Sequence, residues 1–576
     1  MTHRRPTLPA WPRALLAALC LGLSACTLPP AAPRADAPAT GLAVTAHPLA
    51  TEAALKMLRA GGSAADAAVA AQMVLGLVEP QSSGPGGGTM VLHWDAAQRA
   101  LTGLDGLAQA PRRATAGLSV DVDGRTLDPQ RTRRGGRSVG VPGTLPLLQA
   151  LHQRHGRLPW AALLEPARTL AEQGFPMSPY LRRVLSAPGA ARDHAEMAAL
   201  YFDAAGRVRP VGSRLTNPEY ARTMAKLAAQ GVPAWLQQGG ARAIAQAAAR
   251  GEPAGLLTEE EVKAYRPEPR APLCRVVLRQ QVCTLGPPSF GGVTVLQMLQ
   301  LLEISEPDPA HWSLDNPAFV HRYLETGRLA QADRMRWIGD PAFHDNPVES
   351  LLDRDYLVRR AAMIDPARAM PAPAPGLPGR PMAALESSEP LAGTTTSQLV
   401  IIDARGDVLS MTTTLNLNFG SRVMAAGFTL NNAMTNFAPA PPPGKVYANQ
   451  MAPGKRPVTS MMPTIVFDER GEPVIAGGSA GGGQIIDYVA TSLIDLMARG
   501  RTPAQALARG HVSTAVAGQV QLERGTPAAA MAEALRARGH RVEVVEMTSG
   551  LGFAQRTAQG WTGAADPRRD GNAARP

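Results

Sequence analysis

Three consecutive threonines, Thr394-Thr395-Thr396, stand directly before a β-rich run, and a second triplet, Thr412-Thr413-Thr414, closes the next run. A threonine in that place can do nucleophilic chemistry if the peptide bond ahead of it is cut. The cut leaves a free α-amino group beside the residue's own hydroxyl, so base and nucleophile come from one residue. The stretch Gly393–Asn416 alternates and is rich in β-branched residues. With Ala404-Arg405-Gly406 supplying the turn, it predicts a hairpin. Threonine is also a good strand former for its own sake, so the nucleophilic reading rests on what surrounds it.

Downstream come Asn431-Asn432-Ala433-Met434-Thr435-Asn436-Phe437, then Gly454-Lys455-Arg456-Pro457-Val458-Thr459-Ser460-Met461-Met462-Pro463-Thr464, then Gly477-Gly478-Ser479-Ala480-Gly481-Gly482-Gly483. In this order and spacing they resemble the small subunit of the γ-glutamyltranspeptidase family of N-terminal-nucleophile hydrolases. Upstream segments, among them Glu79-Pro80-Gln81 and the glycines up to Gly88, resemble the large subunit, so the likeness covers nearly all of 41–565. Counting back from Val400-Ile401-Ile402-Asp403 places the family's nucleophile on Thr396, with Thr394 and Thr395 as neighbours in nearby registers.

The resemblance implies an α/β fold, a four-layer αββα sandwich made by a large subunit (41–395) and a small subunit (396–576) cut from one precursor. It implies acyl transfer from a small γ-glutamyl (glutathione-type) amide to water or an amine, without a cofactor. Thr414 matches the threonine that hydrogen-bonds the nucleophile. Gly481 and Gly482 match the residues whose N–H groups hold the oxyanion, donors typically worth about 3–4 kcal/mol each.

The glutamyl pocket departs from the family. Leu107 stands where an Arg holds the α-carboxylate, Ala433 replaces a Gln, and Asn436 replaces the Asp that faces the α-ammonium. Gln398 replaces a His. Asn416 is retained, and Thr459 and Ser460 approximate a Ser pair. Losing one partner of a buried charged pair costs on the order of 2–5 kcal/mol, so the clamp is expected to be weakened, with Arg112 or Arg113 as substitutes. A cephalosporin or glutaryl-amide acylase on the same fold, or a silent binding module, are the alternative readings.

Composition is that of a globular protein: 576 residues, 45% hydrophobic and 18% charged. The net charge of +11 is scattered Arg rather than a nucleic-acid motif. Arg4, Arg5 and Arg13 precede an apolar run, Ala14–Leu23, too short for a comfortable membrane span. It ends in Leu23-Ser24-Ala25-Cys26, which resembles a lipobox. Residues 1–25 are therefore expected to be a lipoprotein signal peptide, Cys26 the lipidated residue and 26–40 a Pro/Ala-rich tether. A plain secretory signal is the rival. The expected location is periplasmic, on the outer membrane. Cys274 and Cys283 end β-like runs and suit either a hairpin disulfide or two buried thiols.

Further along, helices are expected at Pro48–Ala60, Ala64–Leu77, Pro142–His155, Trp160–Gln173 and His321–Ala332, with a long helix introduced by Pro287–Gly292 running through Glu303 and an exposed loop over 112–137. The Gly-rich Ser83–Gly88 lacks the Gly-Lys-Ser/Thr of a phosphate loop and is read as a turn. Gly477-Gly478-Ser479-Ala480-Gly481 spells a nucleophile elbow on Ser479, but only His511 and His540 follow it. His152 and His155 lack a carboxylate at metal-binding spacing in the sequence and are read as solvated.

Overall fold

Period-two patterning puts the residues of one strand into two different cores, and the central strands show this directly. The computed structural model of the protein describes residues 2, 41–187, 191–379, 385–387, 395–516 and 518–576. The expectations for the signal, Cys26, the tether and Thr394 lie outside them.

Thirteen strands matter here. In chain order they are β1 (Leu42–Thr45), β2 (Gly88–Asp95), β3 (Ala100–Gly106), β4 (Glu268–Arg270), β5 (Pro272–Val277), β6 (Gln280–Leu285) and β7 (Ser397–Ile402). The remainder are β8 (Val408–Thr414), β9 (Thr464–Phe467), β10 (Pro473–Gly478), β11 (Gly552–Thr557), β12 (Gly560–Ala565) and β13 (Asn572–Ala574). One seven-stranded sheet has the order β13-β1-β7-β8-β2-β3-β4, and a six-stranded sheet has the order β12-β11-β10-β9-β6-β5. Both are antiparallel throughout.

Val44, Met90, Val400, Ile402 and Val408 point from the first sheet into a core shared with Leu285, Ile465, Ala476 and Ala554 of the second. Their alternates, Ala43, Val91, Leu399, Ile401 and Leu409, face outward under helices α1 (Pro48–Arg59), α2 (Ala64–Val78), α3 (Thr144–His155) and α4 (Trp160–Gln173). The outer face of the second sheet, with Val282, Val466, Ile475 and Phe553, packs under α5 (Phe290–Ser305), α6 (Pro317–Trp337) and α7 (Ile485–Met497). Burying each such aliphatic side chain contributes about 1.5–3 kcal/mol. The architecture is the four-layer αββα sandwich of N-terminal-nucleophile hydrolases, with both predicted subunits contributing strands to each sheet.

The helix expectations hold with small shifts. α2 starts from a reciprocal capping box between Ser63 and Asp66, and α6 runs further in both directions than His321–Ala332. The 112–137 loop carries a short helical turn, Pro129–Thr132, and a buried Arg137 that hydrogen-bonds Thr115. Cys274 and Cys283 sit directly opposite each other on β5 and β6 and form a disulfide. The two histidines of α3 are not solvated. His152 Nε2 donates to Leu158 O at 2.9 Å, with Asp66 Oδ1 at 3.7 Å, and His155 stacks on His93. Sequence spacing missed Asp66 because that carboxylate comes from another helix.

Candidate active site

Antiparallel pairing of β7 with β8 sets Ser397 opposite Thr413 and Gln398 opposite Thr412. One step further along the ladder, Thr396 and Thr414 come together where the strands open. Thr396 Oγ1 lies 3.1 Å from Thr414 Oγ1 and also contacts the carbonyl oxygen of Thr395. Thr414 Oγ1 donates to that same carbonyl at 3.1 Å and accepts from Asn416 N at 2.9 Å. Asn416 reaches this position with φ of +85°. Both Thr395 and Thr396 are buried, so the hydroxyls meet away from bulk water. The bond between Thr395 and Thr396 thus has the Thr396 hydroxyl on one side and a hydrogen-bond donor, Thr414 Oγ1, on its carbonyl.

The segment before it is held separately. Thr395 Oγ1 bonds Gln81 O at 3.1 Å and Ser82 Oγ at 3.0 Å, both from the turn after α2. The glycines of that turn exist for close approach: a Cβ on Gly87 would stand 2.3 Å from Thr414 O. That explains the Gly-rich stretch in terms of backbone contact with the catalytic hairpin.

β10 ends at Gly478 and leads through Gly481 (φ +131°) and Gly482 (φ +60°) into α7. Both conformations favour glycine. The helix N-terminus behind them adds the partial positive charge that suits an oxyanion. Ser460 Oγ donates to Gly482 O at 2.6 Å, which joins the substrate-binding segment to this turn. Gly550 packs against Ala480 and against the Arg569 guanidinium, whose Nη1 donates to Thr396 O at 2.8 Å. Gly550 and Arg569 thus link the segment of the glycine turn to Thr396. Ser479 is buried and donates to Ala480 O, while His511 and His540 bond Ser549 and His321. Among the described residues, neither histidine downstream bonds the elbow serine.

The predicted pocket residues are each held by contacts within the fold. Thr459 joins the start of α5 through Phe290 N, and its hydroxyl accepts from Met461 N at 3.2 Å. Asn416 Nδ2 donates to Asn432 O and Thr435 Oγ1. Asn436 is half-buried, and its carbonyl is fixed by Asn449. Leu107 adds no charge: its side chain belongs to the core between the sheets. The preceding Asp105 is bound by Arg270 at 3.0 Å, with Arg456 at 3.7 Å. Burial pushes its carboxyl up, and the two guanidinium groups oppose that. Arg456 is thereby committed to the fold and joins the Leu107 segment to the Thr459–Ser460 segment. Arg112 and Arg113 are exposed, and Arg112 N is engaged by Glu261. Gln398 is buried between the sheets, where it bonds Ser410, Thr412 and Leu399 O.

The fold and this threonine centre define an enzyme of the N-terminal-nucleophile hydrolase class. The family model described as Gamma-glutamyltranspeptidase matches residues 50–575, and the chain belongs to that family. The glutathione hydrolase proenzyme of Bacillus subtilis (strain 168) is 30% identical over 518 residues, covering 87% of this chain and 85% of that protein. The acylase ACY 1 proenzyme of Pseudomonas sp. (strain V22) is 35% identical over 518 residues, covering 88% of each. Among solved structures, cephalosporin acylase from Bacillus halodurans matches with a TM-score of 0.80 at 27% identity, covering 93% of this chain and 96% of that one.

Several participants could not be picked out from sequence. Glu79 and Arg569 reach the Thr396–Ser397 segment from far away in the chain, Glu79 through Ser397 Oγ and Arg569 through Thr396 O. No spacing rule links them.

Proposed function

We propose that the protein cuts its own Thr395–Thr396 bond and then works as an amidohydrolase and acyltransferase through Thr396. The observation that carries this is the hydrogen-bonded group of Thr396 Oγ1, Thr414 Oγ1 and Thr395 O. In self-cleavage, Thr396 Oγ attacks the Thr395 carbonyl, the C–N bond breaks, and the nitrogen takes up the hydroxyl proton. That nitrogen is now the free α-amine, and water then hydrolyses the ester, leaving a carboxylate on Thr395 and restoring the Thr396 hydroxyl. In turnover, that amine accepts the Oγ proton as Oγ bonds the substrate carbonyl, and passes it to the leaving amine. Water or a second amine resolves the acyl-enzyme by the reverse route. Gly481 and Gly482 N–H groups are the oxyanion donors in this reading.

The acyl donor we infer is an amide of a γ-glutamyl or glutaryl-like chain, with little reward for the α-ammonium. Asn416, Asn436, Thr459 and Ser460 offer neutral hydrogen bonds, and Leu107 offers none. Likeness to proteins titled both glutathione hydrolase and acylase supports a donor between the two. The test compares kcat/KM for γ-glutamyl and glutaryl anilides. A γ-glutamyl preference of about a hundredfold or more, some 2.7 kcal/mol, would overturn this part. We also propose that Cys26 carries a lipid anchor to the periplasmic face of the outer membrane, on the strength of the apolar run and Leu23–Cys26. Labelled fatty acid should enter the wild type and not Cys26→Ser; an unlabelled wild type refutes it.

A further inference from the structure

Behind the nucleophile, on the face of β7 that turns toward α2, lies a buried polar cluster that the reaction described above does not use. α2 ends at Val78, and Glu79 follows it with non-helical backbone, its N–H still bonded to Leu75 O. Pro80 then turns the chain away. Glu79 is completely buried. Its Oε2 accepts from Ser397 Oγ at 2.9 Å, and Ser397 Oγ in turn accepts from Ser83 Oγ at 3.0 Å. Ser397 is the residue bonded to Thr396, whose carbonyl is held from the same side by Arg569. A carboxyl in such a place is costly. Glu79 Oε1 and Arg569 Nε and Nη2 have no protein hydrogen-bond partner among the described residues. Packing alone would have been better served by an apolar residue.

We propose that Glu79 is a positioning residue for the N-terminal nucleophile: through Ser397 it fixes the Thr396 α-nitrogen and hydroxyl for both self-cleavage and acyl transfer. This rests on Thr396 being the nucleophile. The geometry has a simple logic. Once the Thr395–Thr396 bond is cut, Thr396 is a chain end, and chain ends fray unless tied down. Ser397 is the first residue whose side chain can anchor that end to the large-subunit segment, and Glu79 is the anchor. Its charge matters as well. Burial pushes the Glu79 carboxyl up to about 7, against the opposing effects of Arg569 and the Ser397 hydroxyl, while Asp570 pushes in the same upward direction. Tyr180 and His47 are the other titratable groups around this cluster. Tyr180 is raised by burial, and His47 is lowered to about 4 by burial. Neither changes charge near neutral pH, so of these three side chains only Glu79 does. An ionised Glu79 favours the ammonium form of the Thr396 amine and so raises the pH at which that base becomes free.

The test uses the full chain with Glu79→Ala, Glu79→Gln and Thr396→Ala. Glu79→Ala should self-cleave at least about tenfold more slowly, the loss of one hydrogen bond to a charged group. Glu79→Gln keeps an acceptor for Ser397 and should cleave at close to the wild-type rate. Its kcat/KM profile should then have the acid limb about half a pH unit lower, a shift that a purely structural glutamate would not give. If Glu79→Ala fails to fold, the Glu79→Gln profile decides alone. Wild-type cleavage in Glu79→Ala, or an acid limb in Glu79→Gln that superimposes on the wild type, overturns the proposal. Cleavage in Thr396→Ala would instead refute the nucleophile, whatever Glu79 does.

Discussion

Thr414 Oγ1 stands 3.1 Å from Thr396 Oγ1 and 3.1 Å from the carbonyl oxygen of Thr395. One hydroxyl therefore reaches both the attacking atom and the carbonyl it would attack. In the uncut chain it can donate to the oxygen that gains charge. In the proposed mechanism, the same group orients the Thr396 hydroxyl after the cut. Removing a donor aimed at a developing oxyanion costs about a hundredfold or more. Thr414→Ala should self-cleave about a hundredfold more slowly, while Thr414→Ser should recover most of the rate. Timed denaturing gels read both.

The turn at Gly481 admits no side chain. A Cβ there would lie 2.5 Å from the Tyr488 ring, on a backbone with φ of +131°. Gly481→Ala should lower stability by about 1–3 kcal/mol. It should also lower kcat by about a hundredfold, measured on the same preparation by denaturant titration and turnover. Ser479→Ala, two residues earlier, should self-cleave and turn over as the wild type does.

Asn436→Asp restores a carboxylate where the family places one. The site is half-buried, so the gain sits at the lower end for charged pairs. The kcat/KM ratio of γ-glutamyl to glutaryl anilide should rise by about tenfold. An unchanged ratio would mean that the substrate's ammonium lies elsewhere.

His511 stacks on Tyr488 and bonds Ser549. Burial, with Arg568 nearby, lowers it to about 3. A histidine depressed in the fold stabilises fully above its unfolded value of about 6.5 and loses that contribution as pH falls toward the folded one. By pH 5 the loss is about 2 kcal/mol. The wild type should therefore lose about 2 kcal/mol more than His511→Gln between pH 7 and pH 5, read from urea titrations.

The sequence made the catalytic hairpin legible because two local codes agree there. Alternation fixes the strands, and the Asp403–Asp407 turn fixes their register, so Thr396 and Thr414 meet without long-range information. The layers were legible only by family likeness. Residues such as Val400 and Leu399 are equally apolar, and nothing local says which core each one enters. The pocket was half legible. Leu107 announces a missing charge, but its burial between the sheets depends on residues such as Leu285, Ile465 and Ala554 from distant parts of the chain. Arg456 stands in the sequence only as part of a motif, and the fold pairs it with Asp105 and Glu268. Glu79 was seen only as part of a motif, because its partner Ser397 is 318 residues away.

The central claim is that Thr396 becomes an N-terminus and does the chemistry. N-terminal sequencing of the purified protein after denaturing electrophoresis tests it most directly. Two chains should appear, the smaller beginning Thr396-Ser397-Gln398, and Thr396→Ala should give one inactive chain. A wild-type protein that is active as a single uncut polypeptide, or a small chain beginning at another residue, would contradict the account.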